Sequence, residues 1–388
     1  MFVNRVNGKC QFRPITERFV MKRREFGKKI GGGIIGAGIA GFTDLGASAR
    51  PARVPKKNTL MHVGGDYHSI VGGRAADMTT KANLEYNLRH GVRHLTARKR
   101  SWHGAWDLDE MKRWKDNCDK HGVILEAVRM EDDYIRLRKG LERDRMIETI
   151  QENIRKASSV GVQVITYHWR VIPIRRNRRT PGRGGVEYSS FKLEDDWKDL
   201  PVGKAGRVDS EEYWERIAFF LENIIPVARE YDVKMGCHPY DPPGLPFGYQ
   251  GADNWDSPSV FDAIKRYESI VESPYNGFQL CLGTAAEGLK DPGKEVLPIV
   301  EYLAERGKIH DIHMRNIRGG LHDFSEVFPD EGEMDFLEII RILRDYQYPG
   351  ALTPDHMPSH PDDPDKLQAF AFGFGYIKAL IHAANSEV

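Results

Sequence analysis

The chain has 388 residues, 29% of them charged and 40% hydrophobic, with a formal net charge of +1. That composition excludes a disordered or collagen-like chain, and four cysteines are too few for a disulfide-built scaffold. The charge divides into +6 over residues 1–49 and −5 over the rest, and a slightly acidic body argues against a nucleic-acid partner.

The first fifty residues read as an address. Met21-Lys-Arg-Arg-Glu-Phe26 is basic, residues 30–42 are uncharged and rich in Gly, Ile and Ala, and Ala47-Ser-Ala49 supplies small residues for a signal peptidase. That order is the pattern of a secretory signal. The adjacent Arg23 and Arg24, with Phe26 close behind, fit the twin-arginine type. The uncharged run falls short of the roughly 20 residues that a bilayer span needs. We therefore expect residues 1–49 to engage the twin-arginine export machinery and to be cleaved after about Ala49, residues 50–58 to form a linker, and the body to be exported, to the periplasm. Met21 is an alternative start. Gly36-Ala-Gly38-Ile-Ala-Gly41 matches a dinucleotide fingerprint, but it lies inside the uncharged run and lacks the strand–turn–helix context, so no nucleotide cofactor is expected.

From residue 59 onward, short apolar runs alternate with amphipathic stretches. Strands are predicted at 60–63, 92–96, 123–128, 162–168, 233–238, 277–282, 309–313 and 351–353. Helical periodicity is predicted at 107–121, 144–160, 210–231, 257–273, 292–306, 334–346 and 364–384. Lys120-His-Gly122 has the glycine of a helix C-terminus. Eight β units in strict alternation predict one α/β domain over 59–388, a single (β/α)8 TIM barrel, with a long loop over 170–208 after the fourth strand.

In such a barrel the reactive groups project from the C-terminal strand ends. The fifth strand ends at Cys237-His238, the sixth at Cys281-Leu-Gly283, the seventh at His313-Met-Arg315-Asn316 and the eighth at Pro354-Asp355-His356. His238, Cys281, His313 and Asp355 thus share one rim. Two imidazoles, a thiolate and a carboxylate suit Mn²⁺, Fe²⁺ or Zn²⁺ better than Mg²⁺.

These segments resemble the mannonate dehydratase family. Cys237-His238-Pro239-Tyr240-Asp241-Pro242-Pro243 is similar to its H-P-D-D-P-P segment. Cys281 with Gly283 resembles its F-C-x-G strand end, and His310-Asp-Ile-His313-Met-Arg315-Asn316 its H-x-x-H-x-R-N. Pro354-Asp355-His356 matches its P-D-H, and Gly332 with Asp335 resembles its D-G-D-x-D. The resemblance covers roughly 125–380. It implies a xylose-isomerase-like barrel and dehydration of D-mannonate to 2-keto-3-deoxy-D-gluconate. It also implies Mn²⁺ (or Fe²⁺) on the same four ligands, acid–base work by His356, and Arg315 and Asn316 at the substrate. The second strand end departs from the family, reading Ala97-Arg-Lys-Arg-Ser-Trp-His103-Gly104 where the family has paired histidines.

His168, at the fourth strand end, is the second acid–base candidate, and Tyr167, Arg98 and Arg170 are candidate substrate contacts. Arginines 170, 175, 176, 178, 179 and 183 form a clamp for an acidic sugar, a patch for an anionic polymer, or a solvated loop. Competing readings are an isomerase or epimerase of the same barrel class and a non-catalytic sugar-binding protein. The sequence leaves homo-oligomer formation open.

Overall fold

The apolar runs become strands because a segment that is hydrophobic on both sides is buried only in a parallel sheet covered by helices. The computed structural model describes residues 59–388, except 74–75, 100, 102, 132–133, 173–174 and 256–258. The expected leader, the linker, the glycine motif at 36–41, and Arg100 and Trp102 lie outside the described residues.

The strands are β1 His62–Gly65, β2 His94–Arg98, β3 Ile124–Arg129, β4 Val164–His168, β5 Arg178–Pro181, β6 Glu187–Lys192, β7 Lys234–His238, β8 Asn276–Cys281, β9 Ile309–Met314, β10 Asn316–Gly320, β11 Asp323–Val327 and β12 Ala351–Pro354. Between them run α1 Lys81–Arg89, α2 Leu108–His121, α3 Leu141–Ser159, α4 Ser210–Glu230, α5 Val260–Ile270, α6 Leu282–Glu287, α7 Pro292–Glu305, α8 Phe336–Asp345 and α9 Leu367–Ser386. Eight strands close into a parallel barrel in the order β1-β12-β9-β8-β7-β4-β3-β2, as the alternating pattern predicts.

The helices follow their end signals. Asp107 caps α2 by accepting from the backbone of Asp109 and Glu110, and Gly122 closes it with φ 68°, where a side chain would be strained. α4 buries Tyr213, Ile217, Phe220, Leu221 and Ile224. No helix among the described residues is long and apolar enough to cross a membrane.

Two features were not legible. α1 buries Asn83 and Asn87 on its inner face, so its apolar stripe is too thin to register. Asn83 is satisfied there by the carbonyl of Met78 at 2.7 Å and the amide of Val71 at 3.1 Å. The predicted loop over 170–208 contains β5 and β6. They join β10 and β11 in a four-stranded antiparallel sheet of order β10-β11-β6-β5. β6 pairs with β11 through Phe191 opposite Phe324. Ser359, just after β12, bridges to Glu187 at the start of β6. Three segments from the catalytic end of the barrel are thereby tied together.

Candidate active site

His238 and Cys281 are the last residues of β7 and β8, His313 is the fifth of β9, and Asp355 follows β12 directly. Cys281 stands opposite His313 in register. His238, Cys281 and His313 each bring one donor atom within 4.8 Å of the others. The Asp355 carboxylate lies 3.8 Å from Cys281 Sγ and 3.5 Å from His313 Nδ1. The structure therefore brings three of the four expected ligands together and sets the fourth, Asp355, beside two of them, where it also groups with His68 and His356.

Their surroundings suit a cation. His238 Nδ1 donates to the Pro239 carbonyl at 2.7 Å, which leaves Nε2 with its lone pair. Cys281 Sγ accepts from the Thr284 amide at 3.4 Å. His313 Nδ1 is buried and meets the Asp355 carboxylate only at 3.5 Å, without a well-formed hydrogen bond, a costly state unless something binds it. Burial holds the His238 pKa well below the ordinary imidazole value, with Arg129 adding to it. Burial opposes charge on His313 too, but Asp355 and Cys281 outweigh it and raise that pKa well above the usual value. Two imidazoles, a thiolate and a carboxylate with an under-satisfied nitrogen among them fit a borderline divalent metal.

Acid–base groups flank these four. His356 leaves β12 with φ 45°, which breaks strand alternation, so Asp355 and His356 both line the pocket. His356 Nδ1 lies 2.7 Å from Glu326 Oε1 and 2.9 Å from Arg315 Nη1. The nearer, charged acceptor assigns the proton to Nδ1 and leaves Nε2 basic. A second imidazole comes from the end of β1. His68 Nδ1 lies 2.7 Å from Asp66 Oδ2, and its ring centroid is 5.2 Å from that of His356. Burial, against the pull of Asp66 and Asp355, pushes His68 down to about 4.

The pocket, about 190 Å³, is lined by Tyr67, His68, Arg98, Arg129, His168, Trp169 and Arg170 together with His238, Asp241, His313, Asp355 and His356, while Cys281 is fully buried behind it. Arg98 is held by Glu131 at 2.8 Å and stacks over Tyr67 at 4.5 Å. Arg129 donates to Gln279 at 2.8 Å and to His168 Nδ1 at 3.1 Å. Burial, then Arg129, hold His168 well below its ordinary pKa, so it is neutral with its proton on Nε2. Tyr167 is not on this surface. It lies in the core, with its hydroxyl on Tyr267 and its ring against Trp169 and Phe220.

Arg315 and Asn316 lie behind the pocket wall, Arg315 at 2.9 Å from His356. Neither lines the pocket, and both are 1% exposed. Asn316 donates to the carbonyls of Pro329 and Met334, both at 3.0 Å. Gly332 is required there, because a Cβ would sit 2.0 Å from Asn316 Oδ1. Arg315 contacts Asp241 at 2.9 Å and Glu287 and Glu326 at 3.0 Å. A Cβ on Gly283 would lie 2.3 Å from its Nε, so glycine after Cys281 makes room for that guanidinium.

Arg176 reaches the same three carboxylates from the 170–208 segment, at 2.7 Å from Asp241, 3.0 Å from Glu287 and 2.8 Å from Glu326. Burial raises Glu287 well above the usual carboxylate range despite both arginines. Asp241 is held well below it by Arg176 and Arg315, and Glu326 at about 2 by Arg176, then His356 and Arg315, all against burial. Two buried guanidinium groups thus face three buried carboxyl groups. Arg178 pairs with Glu194 and Arg183 with Asp330, so among the described arginines of this run Arg170 alone lines the pocket. Arg176→Leu should destabilise the protein by about 3–5 kcal/mol, because it leaves buried charge uncompensated. Thermal melting checks this, and an unchanged midpoint would mean that Arg315 alone neutralises the cluster.

Sequence reasoning passed over Asp66, Tyr67, His68, Arg129 and Glu326. The first four obey the same strand-end rule that found the metal-capable residues. Glu326 has no local signal.

A family model described as D-mannonate dehydratase (UxuA) matches residues 86–200 and 202–386. The chain is 29% identical over 294 residues to a mannonate dehydratase of Thermotoga neapolitana, covering 65% of this chain and 78% of the relative. It is 25% identical over 324 residues to one of Streptococcus pneumoniae, covering 72% and 83%. The crystal structure of mannonate dehydratase from Streptococcus suis is similar in fold, with TM-score 0.69 and 22% identity over 85% of this chain and 95% of that one. A D-tagatose 3-epimerase-like protein shares the barrel at TM-score 0.53 and 17% identity, over 84% and 99%.

Proposed function

The chain belongs to the D-mannonate dehydratase family, and from that premise we propose that it converts D-mannonate to 2-keto-3-deoxy-D-gluconate and water, with Mn²⁺ or Fe²⁺ held by His238, Cys281, His313 and Asp355. Family membership makes it a hydro-lyase. The observation that carries the finer reading is that His238, His313 and Asp355 line one pocket with the two carboxylate-oriented imidazoles, and that Cys281 lies directly behind, within 4.8 Å of the His238 and His313 donor atoms.

A divalent ion held by these residues would supply Lewis-acid stabilisation of the negative charge that develops on the substrate. The chain's own groups do the rest. Dehydration takes a proton from carbon and gives one to the departing hydroxyl. His356 and His68 present Nε2 atoms whose partner nitrogens are fixed by Glu326 and Asp66. Arg129 and Arg170 on the pocket wall suit a sugar-acid carboxylate. Tyr67, Trp169 and Tyr240 cover the site with apolar surface.

The test is to incubate Mn²⁺-loaded protein with D-mannonate and assay 2-keto-3-deoxy-gluconate. Product formation supports the reading. No product at high enzyme concentration, with an epimerised sugar recovered instead, would replace it with the epimerase alternative. We further propose that residues 1–49 direct twin-arginine export to the periplasm, which would load the metal before release. Changing Arg23 and Arg24 to Lys should retain the protein in the cytoplasm, and unaltered export would remove this proposal.

A further inference from the structure

The opposite end of the barrel carries a second convergence of metal-capable side chains that the dehydratase reading does not use. His62 opens β1, His94 opens β2 and Glu126 is the third residue of β3. β2 runs from His94 to Arg98 at the catalytic rim, a separation of roughly 13 Å at about 3.3 Å per residue.

One donor atom from each of the three residues lies within 4.8 Å of the others. His62 Nε2 is 2.9 Å and His94 Nδ1 2.7 Å from the same oxygen, Glu126 Oε2. The other nitrogen of His62, Nδ1, is 2.9 Å from the carbonyl oxygen of Leu60. A carbonyl only accepts, so the proton of a neutral His62 belongs on Nδ1. Its Nε2 lone pair then faces a carboxylate oxygen, which also only accepts. A cation must stand between them, and the choices are a second proton or a metal ion.

Stacking bears on that choice. The two imidazole rings lie 3.5 Å apart between centroids, 28° from parallel. A proton would serve His62 alone and charge one of two stacked rings, since a neutral His94 can donate from Nδ1 to Glu126. One divalent ion would join all three donors at the single point where they meet. The side chains are 23%, 24% and 17% exposed, so solvent can reach the point and complete the coordination. Three adjacent barrel strands fix the positions, with Gly64 paired to His94 and Leu95 to Leu125. A site built on strands needs little reorganisation to bind.

We propose that His62, His94 and Glu126 form a second divalent-metal site, separate from the catalytic rim, that takes a late first-row ion such as Zn²⁺ and clips together the first three strands of the barrel. Two imidazoles and one carboxylate are a zinc donor set, with water as the remaining ligand.

Calorimetric titration of chelator-stripped protein with ZnCl₂ tests this. The expected stoichiometry is two equivalents for the unaltered protein and one for His94→Ala. Glu126→Gln preserves shape and should also lose one equivalent, should His94→Ala fail to fold. A variant with His238→Ala and Cys281→Ser together should keep one equivalent, which separates this site from the catalytic one. Should the catalytic reading fail, the single remaining equivalent would vanish in His94→Ala and persist in His238→Ala. The proposal is overturned by His94→Ala or Glu126→Gln that binds as many equivalents as the unaltered protein. It is equally overturned by a rim-disabled variant that binds none. Dehydratase turnover in His94→Ala should stay within about twofold.

Discussion

His238→Ala is expected to lower bound metal and dehydratase kcat/KM together, the latter by about 10³-fold. A metal acting as Lewis acid is worth several kcal/mol of transition-state stabilisation, and each 1.36 kcal/mol is a factor of ten in rate. His238 is a fixed donor, because Pro239 holds its Nδ1 at 2.7 Å and aims the ring. Alanine offers nothing in its place. Cys281→Ser is the informative companion. The hydroxyl can still accept from the Thr284 amide that Cys281 Sγ now meets, so the local backbone should survive. A hydroxyl is a much poorer ligand than a thiolate for borderline metals, so occupancy should fall and preference shift toward harder ions. Metal analysis and D-mannonate turnover on the same preparations read both effects. Full metal content and full turnover in His238→Ala would take His238 out of the ligand set.

The barrel and its metal-capable rim were legible because each depends on a local rule repeated along the chain. Most barrel strands are apolar runs, and four successive runs end in a residue type that binds metal. α1 escaped because its inner face is polar and satisfied by hydrogen bonds rather than apolar packing. Asp66 and His68 obey the rim rule, but they follow Gly64-Gly65, too weak an apolar run to draw attention. Arg129 looks like any surface arginine until its partners are seen. Glu326 was out of reach, because it approaches His356 only after β11 has paired with β6, far away in sequence. Arg315 and Asn316 show the converse. Their motif was visible and their setting was not, since burial against Asp241, Glu287 and the Pro329 carbonyl decides what they touch.

From that placement we propose that Arg315 acts through His356, as a positioning residue. It lies beside His356 and among the carboxylates that face it, and Arg176 shares the load from the inserted sheet. A segment predicted as an open loop thus supplies one of the two cations that hold Glu326 ionised, and Glu326 in turn sets the proton on His356.

His356→Asn should therefore reduce kcat by about 10²–10⁴, the usual worth of a positioned acid–base group, while metal content stays unchanged. Asparagine is chosen because the position has φ 45°, which Asn tolerates better than most residues. Glu326→Gln acts one step removed, so its expected loss is smaller, about 10–100-fold. Gln can offer either a donor or an acceptor to Nδ1, so the imidazole proton is no longer confined there and the basic Nε2 is lost part of the time. If Glu326 works only through His356, the double variant should be no slower than His356→Asn alone, since residues acting as a unit are not additive. Multiplicative losses would give Glu326 an independent role at the substrate. Loss of metal in either single variant would move the defect from proton transfer to the ligand set, because the Asp355 carboxylate lies 3.7 Å from His356 Nε2. Rate and metal content measured on the same protein separate the two, since only a proton-transfer defect lowers turnover at full occupancy.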